Sequence, residues 1–563
     1  VTERRRTSPL LELQTVRAHY GPGSSRRKLE LLQVLARARL KRPRHVLLLH
    51  ECLCFLRAFP DDAVLLAQVE RMLAGFEHRA DLRRHRAALV DTGIAGTAIY
   101  FRFFWFTAEW LVQRWPDRLA MDWANAGDAK RLLAMLPLLV TPAESAAMEV
   151  ASPDLRRGID RLRAPAERDA AFLVRRFAAL RANPFLREWL YESFDLMLRL
   201  DPGPTTPSRT RAARPVGTLI FQRRPIDDTR PDLRIALRRP PRAVHACNGR
   251  EARMWIDAAR AAMVTRGRDL DVFETADLRD VRRVDCGEGL QLVVVGVLPE
   301  RRFLLDCAYG MLMVQNGVPI GYTLVSALFG SAAIAYNVFE SFRGVGSAPV
   351  YGRVLAAVRH LFGCDAFSVD PYQLGHDNPE GLRSGAWWFY YKLGFRPHDA
   401  AVKRVLRGEL RSQQRDARHR SSRATLQALS AAHLFWFLGK PRRDVLGDVD
   451  LVRIGTHASR FLAMRFGAER ERGLRECNQA AARRLGTSVP AASNAAVHAA
   501  WERWSPLVLV LPGMDRWSDQ AKRELTAVIR AKGGRCESEF LRRFDAHGPL
   551  RRALVRLATA PPP

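Results

Sequence analysis

The sequence predicts an α+β protein: a central mixed β-sheet with helices, flanked by N-terminal and C-terminal regions that are mainly α-helical. Three observations predict it. Apolar residues recur at helical spacing between 26 and 200, as in Leu31, Leu32, Leu35 and Ala38. Beyond 216 the pattern changes to short apolar runs separated by turn residues. From 424 onward helical spacing returns, with Leu426, Leu429, Leu434, Phe435 and Leu438.

In order along the chain, residues 1–25 read as a flexible, Arg-rich leader containing Gly21-Pro22-Gly23. Residues 26–200 read as an α-helical domain. Its helices are broken at Pro60, Pro116, Pro137, Pro153 and Pro184, where the missing N–H and the restrained predecessor end or start a helix. The run 98–112 is the most apolar in the chain. It contains Arg102 and Glu109 and falls short of the roughly 18 residues that a membrane span needs, so it reads as a buried helix and no span is expected. The Pro- and Thr-rich segment 201–215 reads as a linker.

Strands are expected at 216–222, 242–247, 291–297, 311–315, 320–328, 333–339 and 366–370. Asn316-Gly317 predicts a type I′ hairpin turn, because both central residues need positive φ. Helices are expected after Asn248, over 349–362, and over the aromatic run that ends at Phe395. The stretch 216–405 is thus one α+β domain. A basic linker (406–423) and a mainly α-helical region (424–563) follow, with a strand possible at 507–511.

The chain carries 90 Lys and Arg residues, only eight of them Lys, for a formal net charge of +31. Arginine suits phosphate, so nucleic acid, an anionic membrane surface and phosphorylated ligands enter as partner classes. The arginines are nevertheless spread along the whole length and form no single basic block. The eight cysteines show neither metal-ligand spacing nor a dense disulfide pattern, which favours a reducing, cytoplasmic setting and no metal. No Walker, GxSxG or HExxH pattern occurs.

Chemistry concentrates between Tyr336 and Phe395. Arg343-Gly344-Val345-Gly346-Ser347-Ala348 lies between an apolar strand and a helix. In so Arg- and Gly-rich a chain this pattern arises about once by chance, so its position carries the weight. A glycine turn at a helix start offers free N–H groups and positive potential to an anion. One further strand on, a helix ends in Tyr390-Tyr391-Lys392-Leu393-Gly394-Phe395.

Strand, Arg-x-x-Gly-x-Ala, helix, strand, then a helix with Ala-x-x-Phe-Tyr-x-Lys-Leu-Gly-Phe resembles the GNAT superfamily of N-acetyltransferases over about 242–405. The resemblance implies that Arg343, Gly344, Val345, Gly346, Ser347 and Ala348 bind the pyrophosphate of acetyl-CoA, and that Val338 pairs with its pantetheine arm. It also implies an acyl-CoA-dependent N-acyltransferase. Acetyl-CoA is then the co-substrate, an amine of unspecified identity attacks the thioester directly, and Tyr390 protonates the leaving thiolate. Glu340 is the first candidate base, with Asp370 and His376 as second candidates. Two features depart from the family: Arg383 stands where an Asn is usual, and the 370–385 link is roughly ten residues longer. Polar residues cluster in that link, as they do in substrate loops. Two alternatives remain: a catalytically silent CoA-binding or scaffold module, and a basic nucleic-acid-binding protein.

Overall fold

The computed structural model describes residues 8–149, 154–344 and 346–561. It is a mixed α+β protein with one large mixed sheet and many helices. The chain divides into two compact units. One comprises 1–226, 254–275 and 315–320; the other comprises 227–253, 276–314 and 321–563.

The first unit is mainly helical, from Pro9–Val16 through Pro184–Glu192, with a small antiparallel sheet in which Leu198–Leu200 lies between Ile99–Phe101 and Leu119–Met121. The expected buried helix at 98–112 is therefore a three-residue strand followed by a helix, Trp105–Arg114. Among the described residues no helix is long and apolar enough to cross a membrane. Leu10 and Leu13 are buried within the segment read as a leader. In the segment read as a linker, the Thr210 hydroxyl bonds buried His50 at 2.9 Å and the Ala95 N–H at 2.9 Å. The expected strand at 216–222 does not form. Its backbone groups are met from distant parts of the chain instead: Asn316 accepts from the Ile220 N–H at 2.9 Å and donates to the Ile220 carbonyl at 2.9 Å, while the Gln222 N–H reaches the Pro60 carbonyl at 2.7 Å.

The large sheet has nine strands: β1 Ala243–Ala246, β2 Ala276–Gly287, β3 Leu290–Val297, β4 Cys307–Gln315, β5 Val318–Leu328, β6 Ser331–Val338, β7 Ala366–Val369, β8 Arg396–Pro397 and β9 Leu434–Phe437. Their spatial order is β8-β9-β7-β6-β5-β4-β3-β2-β1. Asn316 (φ 47°) and Gly317 (φ 81°) make the expected turn between β4 and β5. β9 corrects the helical reading of 434–438: Leu-Phe-Trp-Phe returns to the sheet and inserts between β7 and β8, antiparallel to both. The 507–511 run is the end of the helix Ala495–Val510, not a strand. β6 is followed by α1 (Ser347–Phe362), and β7 by the short helices Pro371–Leu374 and Pro379–Ser384 and then α2 (Ala386–Lys392).

The C-terminal helices Asp519–Lys532 and Glu537–Ala546 are tied to the sheet by buried polar groups. Lys532 is 2.6 Å from Glu537 and donates to the carbonyls of Leu305 and Asp306. Asp280 of β2 accepts from the Tyr309 hydroxyl at 2.7 Å and from the Glu537 N–H at 3.2 Å. Breaking such a buried pair strands a charge away from water. Lys532→Met is accordingly expected to lower unfolding free energy by about 3–5 kcal/mol in urea titrations; a change below about 1 kcal/mol contradicts this role.

In the first unit Asp269 accepts from the Phe104 N–H at 2.8 Å and Glu274 from the Thr107 hydroxyl at 2.7 Å. Burial, and then the Asp269 charge, pushes the Glu274 carboxyl up to about 9. A raised folded-state value means that stability present below the unfolded value of about 4.3 is lost as pH rises through 9. Melting temperatures from pH 5 to 9.5 should therefore fall, and Glu274→Gln should flatten that slope.

Candidate functional site

β6 pairs with β5 along its whole length, from Ser331 opposite Leu328 to Val338 opposite Gly321. Its parallel pairing with β7 covers only Ser331, Ala332 and Ala333, opposite Ala366, Phe367 and Ser368. Among the described residues, no strand lies beside the β7-facing edge of β6 from Ile334 onward. β7 follows β9 to the Val369–Leu434 pair and then stops at Pro371, which has no N–H to continue a ladder. A crevice thus opens at the carboxyl ends of two parallel strands, the place where open sheets bind ligands. Two buried polar atoms on these strands have no hydrogen-bond partner among the described residues: Ser368 Oγ, on a residue 1% exposed, and Asn337 Oδ1. Both are open to a polar contact from a ligand.

The glycine turn follows β6. Gly344 (φ 81°) and Gly346 (φ 65°) adopt left-handed backbone, and Gly346 caps α1. A side chain built on Gly344 would meet nothing within 4 Å, so the turn faces open space. No acidic residue occupies the first turn of α1, leaving its positive end uncompensated from within the helix. A carboxylate from elsewhere sits there instead: Asp228 accepts from the Gly346 N–H at 3.2 Å. Arg343 donates to the Val338 carbonyl at 2.9 Å and pairs with Glu380 of the 370–385 link. Ser347 accepts at its carbonyl from the Tyr336 hydroxyl at 2.9 Å, and Ala348 is buried. Val345 lies outside the described residues.

Tyr336, Tyr351, Phe389 and Tyr390 form one aromatic cluster between β6, α1 and α2, with Tyr336–Tyr351 centroids 5.0 Å apart and Tyr351–Tyr390 centroids 5.6 Å apart. Tyr390 is 3% exposed, and burial raises its phenol above the ordinary value, which keeps it protonated. The Tyr351 hydroxyl is buried without a hydrogen-bond partner among the described residues.

The other sequence-derived candidates separate. Glu340 is exposed on a single 3₁₀ turn, and its carboxylate makes no hydrogen bond or ion pair among the described residues. His376 is exposed, 3.7 Å from Asp377. Asp370 caps the short helix Pro371–Leu374 by accepting from the Tyr372 N–H at 2.8 Å, and it lies 3.4 Å from His433 Nε2. The hydrogen bond with His433, and after it the Tyr372 N–H, hold the Asp370 carboxyl below its usual value against the opposing effect of burial. His433 was not legible as a site residue. It is a lone histidine after Ala431-Ala432, and only the insertion of β9 beside β7 brings it to Asp370, 63 positions earlier.

No family model, curated protein or solved structure matches this chain.

Gly447 (φ 97°) packs against the His433 ring, where a Cβ would lie 2.7 Å from Cδ2. Gly447→Ala should cost about 1–2 kcal/mol of stability and move the His433 imidazole resonances in NMR spectra. Unchanged resonances contradict this packing role.

Proposed function

We propose that the protein is an acyl-CoA-dependent N-acyltransferase that transfers an acetyl group from acetyl-CoA to an amine. The observation that carries this reading is the parting of β6 and β7 after three residue pairs, directly beside the glycine turn that starts α1. A diphosphate needs N–H donors and positive potential, which Gly344, Gly346 and the α1 terminus supply. An amide-bearing arm needs an extended strand edge, which residues 334–338 supply. The sequence resemblance to the GNAT superfamily points to the same ligand.

In this reading the amine attacks the thioester carbonyl within the crevice. Tyr390, held neutral by burial, donates its proton to the departing sulfur. The high net charge is compatible with a nucleic-acid partner, but many arginines are engaged within the chain, among them Arg302, Arg442 and Arg551.

Calorimetric titration with acetyl-CoA tests the reading. Micromolar binding is expected, and absence of binding overturns it. Gly346→Val should weaken binding at least about tenfold, since each charge-assisted N–H contact is worth about 1.5–3 kcal/mol. Asp228→Ala should tighten it, because the carboxylate holds a donor that the phosphate needs. Binding without any acetyl transfer moves the reading to a silent CoA-binding module.

A further inference from the structure

We infer that His433, oriented by Asp370, is the general base of the transferase reaction, with the amine approaching from the sheet face opposite α1. The inference rests on the N-acyltransferase reading above. Register partners share a face of a sheet, so Ala333, Ser368 and Phe435 lie on one side. Asn337 has the same parity on β6, and the His433 ring stacks on Phe435 with centroids 6.0 Å apart. The two unpartnered polar atoms, Ser368 Oγ and Asn337 Oδ1, therefore share a face with His433. Tyr336, of opposite parity, is on the α1 side, against Tyr351 and next to Tyr390. Acid and base thus approach one crevice from its two faces.

Two contacts orient the His433 ring. Gly447 packs against it, and Asp370 faces its Nε2 at 3.4 Å. A carboxylate there favours the tautomer with hydrogen on Nε2, leaving the Nδ1 lone pair open; Nδ1 has no partner among the described residues. His376 acts on Asp370, and Asp448 is engaged by His398 at 2.6 Å and Arg443 at 3.3 Å. Glu340, exposed on its turn, has no comparable orienting contact.

The steps balance. The acceptor ammonium gives one proton to His433 Nδ1, and the freed lone pair forms the C–N bond at the thioester carbonyl. The C–S bond breaks with its electron pair on sulfur, which takes the Tyr390 proton. The amide nitrogen's surplus proton returns to Tyr390, and the imidazolium releases its own to solvent.

The test needs no known acceptor, because water can replace the amine. Thiol release from acetyl-CoA is measured against pH in wild type, His433→Ala and Asp370→Asn, with acetyl-CoA affinity followed in parallel by calorimetry. His433→Ala should lose at least about tenfold in thiol release while binding acetyl-CoA within twofold of wild type. Asp370→Asn, which keeps the shape of the side chain but loses the orienting carboxylate, should lower thiol release at least about threefold while binding acetyl-CoA within twofold of wild type, and Asp370→Glu should restore most of it. Unaltered release in His433→Ala or in Asp370→Asn, or a wild type that binds acetyl-CoA but releases no thiol, each overturns the assignment and leaves the binding reading standing. Failure of wild type to bind overturns both. If His433→Ala does not fold, diethyl pyrocarbonate labelling of wild type decides. Acetyl-CoA should slow His433 modification at least fivefold relative to exposed His376, and equal slowing overturns the proposal.

Discussion

The second unit depends on one constraint: the four-residue strand β7 has two neighbours that lead in different directions. It makes three parallel pairs with β6 and four antiparallel pairs with β9. It stays with β9 to its last residue and leaves β6 early. A parallel strand that ends at an Asp-Pro step has no N–H at the proline with which to continue the ladder. The crevice therefore needs no bulge and no strained residue in β6. It follows from the length of β7 and the position of Pro371.

The groups around the crevice follow from the same constraint. β6 runs on, paired only with β5, towards the glycine turn, so α1 begins at the mouth of the crevice. α2 caps the aromatic cluster under β6, and the Asp370 side chain left beyond β7 meets His433 just ahead of β9. Buried polar groups at the far side of the sheet support this arrangement. Arg302 donates to the carbonyls of Lys532 and Gly534, and Lys532 neutralises Glu537. Buried charges of this kind are costly when unpaired, which makes the attachment of the C-terminal helices specific. A rigid scaffold around a short unpaired strand edge suits a site that must hold an extended ligand.

Local chemistry made part of this legible. Asn316-Gly317 needs no context to turn a hairpin, and β3 to β7 are apolar runs bounded by turn residues. The glycine turn was readable from its position between an apolar strand and a helix, and both of its glycines take positive φ. Long-range pairing hid the rest. β2 reads Ala-Asp-Leu-Arg-Asp-Val-Arg-Arg, a solvated pattern, yet Asp280 is buried, where the Tyr309 hydroxyl and the Glu537 N–H donate to it and the Arg282 guanidinium lies 3.4 Å away. β9 is four residues inside helical spacing, and only its two strand neighbours make it extended. The segment 216–222 has strand composition, but Asn316 and Pro60 meet its backbone groups before any ladder does. The same cause concealed His433, whose significance exists only once β9 lies beside β7.

The central claim is that the free edge of β6 and the start of α1 together receive acetyl-CoA. Amide hydrogen exchange with and without acetyl-CoA reads this directly, because an extended ligand arm and a diphosphate both occupy backbone N–H groups. The account predicts slowed exchange confined to 334–338 and 344–350. Unchanged exchange there in the presence of saturating acetyl-CoA, or protection only in the first unit, would contradict it.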